Sequence, residues 1–66
     1  MEQSLTYHDD ELKDEVWIGV RASSTRVLLA VSLKKDGDYQ ISLPPSRCEE
    51  LISHLRAALL SVTANG

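Results

Sequence analysis

The order of this chain shows first in a run of alternating apolar positions that begins at Glu15. Val16, Ile18, Val20 and Ala22 alternate with Glu15, Trp17, Gly19 and Arg21, a period-two pattern that predicts a strand. Arg26–Lys34 predicts a second strand that departs from simple alternation. Val27, Leu29, Val31 and Leu33 point one way, while Leu28 and Ala30 add apolar surface to the other. A half-solvated antiparallel strand is normally apolar on one face only, because only one face is covered. A third strand carries Tyr39, Ile41 and Leu43. It stops at Pro44-Pro45, neither of which can donate to a ladder.

The turns set a register. Ser23-Ser24 as a tight turn places Val20 opposite Val27, Ile18 opposite Leu29 and Val16 opposite Val31. Lys35-Asp36-Gly37 reads as a three-residue loop with Gly37 in the left-handed position. That loop sets Leu33 opposite Tyr39, Val31 opposite Ile41 and Leu29 opposite Leu43. Both registers keep every apolar pair on one face, as a specified hairpin requires.

Beyond the prolines, Ser46 and Glu49 have the spacing of a capping box. Cys48, Leu51, Ile52, Leu55, Ala58, Leu59 and Val62 then recur at spacings that form one apolar stripe on a helix, and Asn65-Gly66 is a natural stop. The expected fold is α+β: a three-stranded antiparallel meander with one C-terminal helix packed on one face, βββα, over residues 15–66. Residues 1–14 are expected to form a flexible acidic arm. Leu5 and Tyr7 share strand parity, which makes a short strand over Ser4–His8 a secondary expectation.

Size and charge sharpen this picture. A chain of 66 residues is one domain near the lower limit for folding alone, and such domains are usually stapled by disulfides, a metal or a partner subunit. The lone Cys48 excludes an intrachain disulfide. A structural zinc site takes about four ligands, and Cys48, His8 and His54 are scattered without ligand spacing. No metal or cofactor is expected, which leaves oligomerisation as the staple. The net charge of −3 divides into −5 over residues 1–15 and +2 over the remainder. No apolar run is long enough to cross a membrane, and MEQSLTYHDD lacks the basic start and apolar core of a signal peptide. A cytoplasmic protein is expected.

With the helix on the Val/Ile/Leu face, Trp17, Leu28 and Ala30 make an apolar platform on the other, rimmed by Arg21 and Arg26. An apolar centre with a polar rim is the anatomy of an interface. Either a second chain covers it, or the arm folds back with Leu5, Tyr7 or Leu12. Leu60, off the helix stripe, is a second candidate contact. Catalytic chemistry has little support. Cys48 lies on the apolar stripe, His54 is too far round the helix to pair with it, and His8–Glu11 reads as a solvated acidic run. No glycine-rich phosphate loop and no nucleophile with a base and an orienting group can be assembled. The expectation is a small non-enzymatic regulatory or inhibitory protein that binds protein as a homodimer through the Trp17 face, with edge-strand pairing as the other dimer geometry. The alternative is a nucleic-acid module using that open face and the basic hairpin ends, against which stands a pI near 5.1.

Overall fold

The computed structural model describes residues 1–65, with side chains to residue 63. Four strands, β1 (Glu2–Asp9), β2 (Asp14–Ala22), β3 (Val27–Leu33) and β4 (Gly37–Leu43), are followed by one helix, α1 (Pro45–Asn65). The strands form a single antiparallel sheet in the order β1-β2-β3-β4, an uninterrupted meander. The fold is α+β, as expected, but the sheet has four strands rather than three. The expected flexible arm supplies the fourth. Glu2–Asp9 pairs with β2 along its whole length, from Glu2 opposite Arg21 to Asp9 opposite Asp14.

The β1–β2 connection explains why an acidic segment is ordered. Asp9 Oδ1 accepts from the Glu11 and Leu12 amides, each at 2.9 Å, which closes the turn. Lys13 then takes a left-handed φ of 56°. Asp14, only 6 % exposed, is the one buried charged residue among those described. Its Oδ1 accepts from the Glu15 amide at 2.7 Å, and its Oδ2 from the Lys35 amide at 3.1 Å. Lys35 Nζ donates to the Lys13 carbonyl at 2.7 Å. One carboxylate therefore ties the β1–β2 turn to the β3–β4 turn. Asp14→Ala is expected to lower stability by about 2 kcal/mol, because the Glu15 and Lys35 amides lose a charged acceptor at a part-buried site. Asp10→Ala, at a solvent-facing carboxylate, is expected to be neutral. Urea unfolding of the two variants checks the contrast, and equal midpoints would refute it.

Both hairpin registers differ from expectation by two residues. Val20 faces Leu29, Ile18 faces Val31 and Val16 faces Leu33. Likewise Leu29 faces Ile41 and Val31 faces Tyr39. The β2–β3 connection is a loop over residues 23–26 and not a Ser23-Ser24 turn. Ser23 Oγ accepts from the Arg26 amide at 3.0 Å, and the Ser23 amide donates to the Arg26 carbonyl at 2.9 Å. Gly37, with φ 93°, opens β4 opposite Leu33 and does not close the loop. A shift of two residues preserves the face of every side chain.

The helix begins one residue before the expected cap. Pro45 occupies its first position, where a missing N–H costs nothing, and the Pro44 carbonyl accepts from the Cys48 amide at 3.0 Å. The Ser46/Glu49 capping box is thus displaced into the first turn. The larger correction concerns packing. The helix does not lie on the sheet; it leaves from the end of β4, its principal neighbour, and projects away. Along its stripe Leu55 and Leu59 are 61 % and 63 % exposed. No helix among the described residues is long and apolar enough to cross a membrane.

Without the helix in place the chain has almost no core. Val16 is the only buried apolar side chain among the described residues. The Cα radius of gyration is 13.6 Å, where a compact domain of this length has about 11 Å.

Candidate functional site

Strand register sorts the sheet into two chemically distinct faces. Residues directly opposite one another share a side, so Leu5 and Tyr7 of β1 join Val16, Ile18 and Val20 of β2. Val27, Leu29, Val31 and Leu33 of β3 and Tyr39, Ile41 and Leu43 of β4 complete that side. This Val16 face is apolar across all four strands. Among the described residues α1 does not lie across it, and although Val16 itself is buried, Leu5, Val20, Tyr39 and Ile41 are all exposed. The arm residues Leu5 and Tyr7 extend this face, so they do not shield the Trp17 side.

The Trp17 face is smaller and better satisfied. The Trp17 indole lies across Gly19, so closely that a Cβ at Gly19 would stand 2.3 Å from its Cη2 atom. Only glycine allows the ring to lie flat there, and Gly19 is buried beneath it. Beside them Ala30 pairs with Gly19, and Leu28 with Arg21. Together these residues line a shallow concavity of about 540 Å³ whose margin carries Glu2, Ser32, Asp38 and Gln40. Its polar groups are largely paired with one another. Arg21 Nη2 lies 3.5 Å from a Glu2 carboxylate oxygen, and the Ser32 hydroxyl bonds Asp38.

The structure therefore brings four of the six expected contact residues together: Trp17, Arg21, Leu28 and Ala30. Arg26 stands outside the concavity. Its Nε donates to Ser42 Oγ at 2.7 Å and its Nη2 to the Ser42 carbonyl at 3.1 Å, which closes the end of the β3–β4 ladder. Leu60 is exposed on the helix, away from the concavity. Cys48 is half-buried near the helix start and unpaired with sulfur, and His54 is exposed. His8 Nδ1 bonds Glu15 at 2.7 Å in an exposed pair. No cluster of metal-ligating side chains occurs among the described residues.

Gly19→Ala offers a direct test of the Trp17 platform. The added methyl must displace the indole of Trp17, a residue 38 % exposed to solvent. The expected result is a red-shifted emission from the only tryptophan, with a stability loss of about 1 kcal/mol from overpacking. An unchanged emission spectrum would show that the ring does not rest on Gly19.

The feature missing from the sequence expectation is the uncovered Val16 face. A signal for it was present in Leu43-Pro44-Pro45, where two consecutive prolines restrict the direction in which the helix leaves the sheet. By architecture the molecule belongs to the class of small α+β proteins with an antiparallel sheet and one terminal helix. Compared with protein-family models, with curated proteins and with solved structures, the chain shows no significant match to any.

Proposed function

We propose that this chain is a non-enzymatic protein-binding protein, regulatory or inhibitory in type, that works as a homodimer. The supporting observation is surface area. The chain exposes 5486 Å², whereas a compact monomer of 7.3 kDa exposes about 4,200 Å² by the general scaling of area with mass. The excess, roughly 1,300 Å² per chain, is what each subunit of an obligate dimer typically buries, since such interfaces total about 2,000 Å² or more. The dimer contact belongs on the Val16 face, where the uncovered apolar surface is. The Trp17 concavity is then left facing outward on each subunit as the surface for a further protein partner.

Sedimentation equilibrium over a wide concentration range tests the dimer. A dimer is expected, with a thermal midpoint that rises with protein concentration, because association stabilises the folded state by mass action. A folded monomer whose midpoint ignores concentration would overturn the reading. A titration with single-stranded DNA and RNA oligonucleotides at low ionic strength tests the other class. No binding is expected, since Glu2 and Asp38 share the concavity with Arg21. Salt-sensitive binding would move the assignment to a nucleic-acid module.

A further inference from the structure

We infer that the homodimer is built by helix exchange: α1 of each copy lies across the Val16 face of the other. This rests on the dimer proposed above and specifies what covers its sheet.

Among the described residues, two large apolar surfaces are left mostly exposed. One is the Val16 face; the other is the helix stripe through Leu51, Ile52, Leu55, Leu59 and Val62. Stacking two Val16 faces directly would cover the sheets but leave both helix stripes in water. Pairing the helices alone would do the reverse. Exchange covers all four surfaces at once, and a two-fold axis makes the two contacts identical.

The dimensions agree. From Cys48 to Val62 the stripe runs about 21 Å at the helical rise of 1.5 Å per residue. Four strands spaced about 4.8 Å apart place the outer strand axes about 14 Å apart, so the stripe crosses the whole sheet. The hinge explains why the helix covers a partner's sheet instead of its own. A single residue, Pro44, joins β4 to α1. Leu43 and Pro44 each precede a proline and are confined to extended conformations, while both proline rings fix φ. A connection this short and stiff disfavours a return over its own sheet. Short hinges are a setting in which elements exchange between copies.

The test uses the wild-type chain. An equimolar mixture of ¹³C-labelled and unlabelled protein is dissociated, reassociated and examined by isotope-filtered NOE spectroscopy. Exchange predicts intermolecular contacts from Leu55 and Leu59 methyls to Val31 and Ile41 methyls. Intermolecular contacts only from sheet to sheet, or only from helix to helix, would overturn exchange while leaving the dimer intact. A monomer by sedimentation would overturn the dimer itself. A hinge variant supplies an independent readout: Pro44→Gly with Pro45→Gly and a four-glycine insertion should let the helix fold back on its own sheet. A short flexible tether gives an effective concentration in about the millimolar range. The variant is therefore expected to be a folded monomer at about 10 μM, far below that effective concentration. A variant that remains a dimer of unchanged affinity would count against a hinge-imposed exchange.

Discussion

Ile41→Asp is expected to abolish dimerisation and, with it, the folded state at micromolar concentration. In the single chain Ile41 is 52 % exposed, on an outer strand opposite Leu29. Judged by that exposure alone, an aspartate there would cost up to about 1 kcal/mol, mostly through strand propensity. In a dimer whose Val16 faces are covered, the same carboxylate is buried in an apolar interface without a partner. Burying an unpaired charge belongs to the small group of changes that cost about 4 kcal/mol or more. That is a large part of the total stability of any small domain. Gln40→Glu is the control, one residue along the same strand and on the opposite face. It is expected to change stability by less than about 0.5 kcal/mol. Sedimentation and urea unfolding measure both variants. If Ile41→Asp keeps the wild-type mass and loses less than about 1 kcal/mol, the Val16 face is not an interface.

The contrast between these neighbouring residues was already readable in the sequence, because strand parity alone puts them on opposite faces. Parity was legible throughout β2, β3 and β4. Register was not, since a period-two pattern is indifferent to a slip of two residues. What set it was local chemistry at the loops: Ser23 bonding Arg26 across a longer turn, and Gly37 opening β4 with a positive φ. The first strand was legible only as a short Ser4–His8 strand, from the parity of Leu5 and Tyr7, and β1 contains it; its charge hid the rest. Glu2, Asp9 and Asp10 suggest a solvated arm, yet Leu5 and Tyr7 extend the Val16 face to a fourth strand. A strand at an edge needs apolar residues on one side only, and two suffice over that length. The turn that makes β1 possible depends on Asp9 and Asp14 accepting backbone amides, so part of the acidic surplus is structural.

The candidate site was legible as a composition and not as a location. Trp17, Leu28 and Ala30 do meet, with Arg21 beside them. Their face was singled out because the helix was placed on the other one. A stripe such as Leu51–Val62 shows that a helix must be covered, but it carries no information about which chain supplies the cover. That choice depends on the hinge, whose stiffness comes from two adjacent prolines. With α1 projecting away from its own sheet, the unmet demand for cover moves from the small Trp17 platform to the much larger Val16 face. In the proposed dimer two surfaces then replace one: a broad apolar face for the second copy, and an outward concavity for a different partner.

Two leucines on α1 separate the apolar stripe from the helix flank at the level of single residues. Leu55 and Leu60 are 61 % and 64 % exposed, so burial in the single chain does not distinguish them. Their positions around the helix do. At about 100° per residue, Leu55 lies near the centre of the stripe and Leu60 well to one side of it. Leu55→Asp is expected to dissociate the dimer, with a loss of about 3 kcal/mol or more, because its carboxylate would be forced against the partner's Val16 face. Leu60→Asp is expected to leave mass and stability within about 0.5 kcal/mol of wild type, as a solvent-facing change on a helix should. Sedimentation and far-ultraviolet circular dichroism at matched concentration resolve the pair. Equal effects from both substitutions would mean that the helix has no preferred buried side, and the stripe would then lose its role in assembly. If only Leu60→Asp dissociates the dimer, the helix engages through its flank and the Val16 face must be covered by another element. Loss at Leu55 alone ties assembly to the same periodic pattern that predicted the helix.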